Sequence, residues 1–187
     1  MFKLLHTLFV LFLLPFPKFV MSFFNQKTRT MTKLIILLTG YLLFGQPTYS
    51  VAQKNAQLQS CCEKIMRTGP CLIFPANHNG KMRFRLLGVY SHGPTLFFLL
   101  RLNNRSPLDY DIDSIRFCVA ENTMKPIYIY DSAVMVPGYR RATTIYALPR
   151  FTLPPGRRLL IIVREKNGGR HLRIRAGNST LERARRV

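Results

Sequence analysis

From residue 82 onward the chain is a succession of short apolar segments that end in turns containing glycine or proline, for example at Gly93, Gly138 and Gly156. No helical pattern of ten or more residues follows Arg67. The absence of such a pattern nearly excludes a parallel sheet built from βαβ units. Short strands at this spacing are typical of antiparallel sandwiches and barrels. We predict an all-β fold, an antiparallel β-sandwich of about seven strands. The predicted strand segments are residues 82–90, 95–102, 110–119, 126–130, 142–147, 158–164 and 170–176.

Side chains alternate within several of these segments. In the first one, Phe84 and Leu86 are interleaved with Arg83 and Arg85. Successive side chains of a strand point to opposite faces. The alternation therefore predicts that one face packs on the core and that the other face meets solvent.

The segment around Asn167 carries the clearest hairpin signal. Residues 158–164 are rich in leucine and β-branched residues, and residues 170–175 alternate basic with apolar. Asn-Gly between two strands predicts a two-residue turn in which both central residues have positive φ. We assign a structural turn to Asn167, Gly168 and Gly169, and expect Gly168→Val to destabilise the fold by ~1 kcal/mol or more.

The N-terminal segment, residues 1–52, holds five basic residues and no acidic one. Its two apolar runs, residues 4–16 and 34–44, would reach about 17 to 20 Å as helices, which is short for a ~30 Å hydrocarbon core. Met31-Thr-Lys begins a signal-like segment, and Ser50-Val51-Ala52 matches a small-x-small cleavage site.

We therefore predict a hydrophobic leader over residues 1–52 that acts as a signal peptide, with cleavage defined by Ser50 and Ala52. Met31 is the alternative true start. The product is expected in the periplasm or cell envelope. The alternative is an uncleaved leader that anchors the chain in the inner membrane.

Residues 53–79 are predicted to be a linker or lead-in that precedes a sandwich domain at residues 80–187. Leu58 and Ile65 have helical spacing, which predicts a short helix or a packed irregular segment. Thr68-Gly69-Pro70 ends this pattern.

The lead-in also carries a cysteine cluster. In an oxidising compartment Cys71 can pair with Cys61 or Cys62 and close a loop of about ten residues. The four cysteines lack a Cys-x-x-Cys pair and the four histidines are scattered. We therefore expect no metal site, and no cofactor.

Positive charge dominates the rest of the chain. Without residues 1–52, 23 basic residues against eight acidic ones leave a net charge of +15. No aromatic residue follows Arg157, so a platform for stacking bases is not supported, and we favour a face that docks protein or is simply solvated. The candidate basic interaction face consists of Arg157, Arg158, Arg164, Lys166, Arg170, Arg173 and Arg175.

The sequence offers little support for a catalytic site. Asp111 and Asp113 lie two residues apart, but no acidic or glycine-rich calcium loop surrounds them. No nucleophile signature accompanies His171. We predict no catalytic residues and a protein that is not an enzyme.

Four segments together resemble the C-terminal domain of the TraN family of conjugative transposon proteins. They are residues 80–90, 95–106, 110–117 and 146–172, which follow one another in the family's order. The resemblance covers about residues 61–185. The sequence departs from the family's usual pattern in two places: a β-rich region before the domain is missing, and the connection between residues 117 and 126 is shortened.

The resemblance implies an exported, non-enzymatic structural subunit of a conjugative transfer apparatus, similar to the periplasmic β-sandwich subunit of type IV secretion core complexes. It implies other envelope proteins of that machinery as partners, an oligomer within the assembly, and membrane association through the complex or an uncleaved leader. The departures imply a shortened copy. The alternative is a basic nucleic-acid-binding module; DNA is a less favoured partner.

Overall fold

The computed structural model describes residues 50–72 and 75–187, so most of the predicted leader lies outside the described residues. The described residues belong to one unit, Tyr49–Val187. In chain order its elements are α1 (Val51–Thr68), β1 (Asn77–Asn79), β2 (Met82–His92), β3 (Thr95–Asn104), β4 (Tyr110–Val119), β5 (Asn122–Met124), β6 (Tyr128–Tyr130), β7 (Met135–Val136), β8 (Arg141–Pro149), β9 (Leu159–Glu165), β10 (Leu172–Ala176), α2 (Asn178–Glu182) and β11 (Arg185–Arg186).

These strands form two sheets. Sheet 1 has the order β1-β2-β3-β8-β6, and β11 also pairs with β2. Sheet 2 has the order β10-β9-β4-β5, and β7 also pairs with β4. Every pairing is antiparallel except that of β11 with β2. The predicted all-β sandwich is confirmed.

All seven predicted strands are present, as β2, β3, β4, β6, β8, β9 and β10. The sequence pattern missed β1, β5, β7 and β11, which have only two or three residues each. A two-residue alternation cannot be recognised over so few positions. Pairing with a longer neighbour therefore defines these strands.

The core lies between the sheets and follows the alternation of the strands. Phe84 and Leu86 of β2 point into it and are fully buried. At its centre the ring of Phe117 lies 5.4 Å from that of Phe98 and 5.3 Å from that of Tyr146, both in tilted arrangements. Such aromatic contacts add to the free energy gained from burying apolar surface.

Helix α1 packs on the outer surface of sheet 1. Its buried residues are Leu58, Cys61, Cys62 and Ile65, which repeat at helical spacing and form one face. Ser50 Oγ accepts a hydrogen bond from Gln53 N at 3.2 Å and caps the helix. The predicted lead-in at residues 53–79 therefore contributes this helix and strand β1 to the same unit as the sandwich.

The turn lies where it was predicted, because the pairing of β9 with β10 is centred between Asn167 and Gly168, but its predicted two-residue form is wrong. β9 ends at Glu165 and β10 begins at Leu172, so residues 166–171 form a wider loop. Only Asn167 among them has positive φ, at 59°. A Cβ at Gly168 would overlap the Glu165 carboxylate, so a side chain at this position would force that carboxylate to move.

Candidate functional site

Three of the arginines predicted as a basic interaction face lie together on the outer surface of sheet 2. Leu159, Ile161 and Val163 of β9 point into the core, so the residues between them point outward. Arg173 and Arg116 lie on either side of Ile162 across the strands. We call this surface the basic face; its arginines are Arg116, Arg164, Arg173 and Arg175, all exposed.

The basic face is not charged throughout. Leu160 and Ile162 of β9 are half-buried; Ile162 lies between two arginines, and Leu160 lies between Arg175 and Cys118. Arg175 is opposite Leu160, and Arg173 is opposite Ile162. No two of its arginines are therefore direct cross-strand partners.

A groove lies where the basic face meets β1. Its volume is about 400 Å³, and its lining includes Leu160, Ile162, His78, His171 and Arg164. Leucine and isoleucine provide the apolar part of the lining, and the histidines and arginine provide the polar part. The groove therefore combines apolar surface with positive charge.

Strand β1 also covers the outer edge of β10. Asn77 Oδ1 accepts a hydrogen bond from Arg173 N at 3.0 Å, and Asn79 Nδ2 donates to His171 O at 3.1 Å. These amides occupy backbone groups that an added strand would need. This part of the edge is therefore blocked against strand addition.

The remaining predicted basic residues do not join the basic face. Arg157 and Arg158 lie in the exposed loop before β9, and Lys166 lies in the loop that follows it. Arg170 lies at the other end of that loop, where its side chain is paired. The seven-residue prediction therefore mixes an interaction surface with loop residues.

Arg170 fastens the β9–β10 loop to strand β4. Its guanidinium pairs with the Glu165 carboxylate, with Nε 2.8 Å from Oε1, and also donates to Asp109 O at 2.9 Å. The guanidinium carbon lies 5.1 Å from the centroid of the Tyr110 ring. Arg170 is therefore occupied within the fold.

Burial and hydrogen bonding determine the protonation states of Glu165 and Tyr110. The side chain of Glu165 is only 8% exposed, and its hydrogen bonds from Arg170 lower the pKa of the carboxyl despite the opposing effect of burial. Burial raises the pKa of Tyr110 to about 12, and its hydroxyl donates to Arg170 O at 2.7 Å. At neutral pH the pair is charged and the tyrosine is protonated.

A second group of arginines, none of which belongs to the predicted interaction face, lies on the outer surface of sheet 1. We call it the arginine cluster, and its members are Arg83, Arg85, Arg101 and Arg141. Arg85 is the direct cross-strand partner of Arg101, which in turn faces Thr143. Arg83 and Arg141 lie on either side of Asn103 in the neighbouring row.

The arginine cluster is electrostatically uncompensated in the part of the chain that the structure describes. The two ion pairs found there are Arg67–Glu63 and Arg170–Glu165. Burial, followed by repulsion from Arg141 and Arg85, lowers the pKa of Arg101. Its Nε donates to Thr143 Oγ1 at 3.3 Å, so a neutral hydroxyl is its neighbour instead of a carboxylate.

Arg83 is in a similar environment. Its pKa is lowered by desolvation and by the charges of Arg105 and Arg85. Its Nε is buried and has no hydrogen-bond partner among residues 50–72 and 75–187. Alternation in the sequence places Arg83 and Arg85 on one face, but only the register of β2, β3 and β8 brings Arg101 and Arg141 beside them.

The cysteines are free thiols in the structure. The predicted disulfide of Cys71 with Cys61 or Cys62 is therefore not formed here, and the pairing stays a prediction. Burial beneath α1 raises the pKa of Cys62 to about 12. Cys71 Sγ donates to Val89 O at 3.7 Å. Cys62 is thus protonated and packed as a small apolar residue.

The residues of the predicted cleavage site lie at the start of α1. Ser50 is its N-cap and Ala52 lies in its first turn. Processing after Ala52 would remove the cap, which contributes about 1 kcal/mol in typical helices. Cleavage itself stays a prediction.

The described residues show neither a metal-binding cluster nor a membrane-spanning helix. They contain no group of three or more His, Cys, Asp or Glu side chains that could hold a metal ion. Their helices include none that is both long and apolar enough to cross a membrane.

Fold and surfaces together define a small β-sandwich domain whose two outer faces carry arginines. The chain belongs to the family described as a domain of unknown function, DUF4138, whose model matches residues 59–186. This range includes both sheets and most of α1. Comparison with curated proteins and with solved structures gave no significant match.

Proposed function

We propose that the protein is a non-enzymatic structural subunit of a conjugative transfer apparatus, related to type IV secretion machines, in the cell envelope. The membership of residues 59–186 in the DUF4138 family carries this proposal, because that family is associated with conjugative transposon proteins. The finer assignment to TraN rests on the ordered resemblance of the strand segments.

Export is the second part of the proposal. The basic, acid-free leader with its small-x-small site supports delivery to the periplasm, and an uncleaved leader would hold the chain at the inner membrane. In either case the sandwich would meet other envelope subunits. It would contact them through its charged outer faces and through strand edges that β1 does not cover.

Deletion of the gene in a donor strain tests the proposal. Transfer frequency to a recipient should fall and should recover when the full chain is supplied in trans. A tagged full chain should sediment with the envelope fraction and co-purify with other products of the same conjugative element. Unchanged transfer, or recovery of the chain from the cytosol alone, would contradict it.

A nucleic-acid-binding module is the second candidate, and the two arginine-bearing faces are the observation that favours it. A protein that neutralises several phosphates loses affinity steeply as salt rises, with a log–log slope proportional to the number of contacts. Retention of the purified chain on DNA, with such a slope, would favour this function. Weak retention, together with an envelope complex, favours the structural role.

A further inference from the structure

The arginine cluster concentrates positive charge that no carboxylate of the described residues offsets. All eight acidic residues of the sequence lie among the described residues, and none of them forms an ion pair with the cluster. Residues 1–52 and residues 73–74 contain no acid at all. Arg85 and Arg101 are nevertheless direct cross-strand partners, an arrangement that destabilises a sheet.

The spacing of the arginines in the cluster indicates the shape of a partner that could bind them. Arg83 and Arg85 are two residues apart on one strand, which places their Cα atoms about 6.6 Å apart. An extended peptide with acidic side chains at every second position repeats at the same distance. Each carboxylate can then bind a guanidinium through two parallel hydrogen bonds.

The neighbouring part of the same surface limits what can approach. The next row of sheet 1 contains Leu87, Leu99 and Ile145, which are buried in one cluster with the apolar side of α1. A helix with its side chains is about 10 Å across, so α1 rises from the sheet beside the arginines and forms a steric wall on that side of them. A narrow extended chain fits against this wall better than a wide rigid duplex.

Single-stranded nucleic acid is also narrow, but it is usually held by stacking of its bases on several aromatic side chains. Tyr139, which is 71% exposed, is the exposed aromatic residue that lies beside the cluster, next to Arg140 and Arg141. Across the strands the arginines also face Asn103 and Thr143, and Arg105 adds a further positive charge near Arg83. This composition favours carboxylates over bases as the partner chemistry.

We propose that the arginine cluster on sheet 1 is a docking site for an extended acidic segment of another protein, with acidic residues at alternating positions. The segment lies beside α1 and pairs its carboxylates with Arg83, Arg85, Arg101 and Arg141. This inference rests on the charge and register of sheet 1, and it does not depend on a role in conjugation.

Fluorescence anisotropy with the purified full chain tests the proposal. The probe is a labelled peptide of alternating Glu and Ser, and the matched probe alternates Gln and Ser. We expect the acidic peptide alone to bind, with an affinity that weakens as salt rises. The double variant Arg85→Gln/Arg101→Gln should bind the acidic peptide about tenfold more weakly or worse.

The double variant Arg173→Gln/Arg175→Gln is the matched control, because it removes the same charge from the basic face of sheet 2. It should retain affinity within about threefold. If both double variants lost the same affinity for the acidic peptide, net charge alone would explain the binding, and the proposal would be overturned. Binding of the Gln peptide, or no binding of the acidic one, would also overturn it.

Two further outcomes assign the surface to a different partner. A single-stranded oligodeoxynucleotide that binds more tightly than the peptide, and loses affinity in the Arg85→Gln/Arg101→Gln variant, would make the cluster a phosphate site. Self-association that the same variant abolishes would make a second copy of this chain the occupant. Thermal unfolding of each variant checks the fold, and we expect the cluster variant to be at least as stable as the parent chain.

Discussion

The outer faces of the two sheets carry the same type of residue in opposite arrangements. On sheet 2, Ile162 separates Arg173 from Arg116, so both of these arginines lie across from an aliphatic side chain. On sheet 1, Arg85 faces Arg101 directly. The first arrangement lets the guanidinium groups spread into solvent, whereas the second holds like charges together.

Arg170 provides a third environment for the same residue type. Its charge is matched by Glu165, and its side chain is 26% exposed. An arginine that stabilises this fold therefore has a carboxylate partner and lies against Tyr110, whereas the arginines of the cluster have neither. The cluster therefore gains no stabilisation of this kind within the described residues, which agrees with the proposed contact with an acidic segment.

Loss of the Arg170 side chain should have the largest effect. Arg170→Met leaves the nearly buried Glu165 carboxylate without its main partner, and we expect the free energy of unfolding to fall by about 2 kcal/mol. Urea denaturation measures it. Arg173→Met on the basic face is the control and should change stability by less than about 0.5 kcal/mol. Equal effects would mean that Arg170 is no more integrated than a surface arginine.

Acid should remove part of the same stabilisation. The pKa of Glu165 is lowered in the folded state, so its contribution is complete above its unfolded pKa of about 4.3 and is lost as the pH falls through the lower folded value. Glu165→Gln should therefore be less stable than the parent chain at neutral pH. The difference should shrink below about pH 4. A difference independent of pH would assign the effect to packing.

A substitution in the loop between β9 and β10 should lower the free energy of unfolding by a smaller amount. Gly168→Val should destabilise the fold by about 1 kcal/mol or more, because the new Cβ would displace the Glu165 carboxylate from Arg170. Gly169→Val is the matched control, since a Cβ at Gly169 meets no atom within 4 Å. Chemical denaturation of both variants compares them. Similar losses would show that loop entropy, and not Glu165, is responsible.

Strands such as β2 were predictable because their residues alternate and so define the two faces locally. Phe84 and Leu86 against Arg83 and Arg85 predict both the strand β2 and its orientation. The position of the β9–β10 turn was predicted correctly but its form was not, because the Asn-Gly pattern says nothing about Arg170, which binds Glu165 across the loop. Local sequence does not contain that contact.

The two candidate surfaces differ in the same way. Arg173 and Arg175 are close in sequence and fall on one face by alternation, so most of the basic face could be recognised. The arginine cluster depends on Arg85 facing Arg101 and on Asn103 facing Arg141, pairs that only the register of three strands defines. Without pairing information those arginines are indistinguishable from solvated ones.

The smallest expected effect tests the comparison of the two faces most directly. Arg85→Gln removes one member of a like-charged cross-strand pair, so it should stabilise the fold by about 0.2 to 1 kcal/mol. The gain should shrink at high salt, because mobile ions already screen the repulsion at this exposed site. Arg175→Gln on sheet 2 faces Leu160 and should give no comparable gain. Salt-dependent thermal unfolding of both variants measures the difference, and a gain at Arg175 equal to that at Arg85 would show that net charge, not cross-strand pairing, sets the cost.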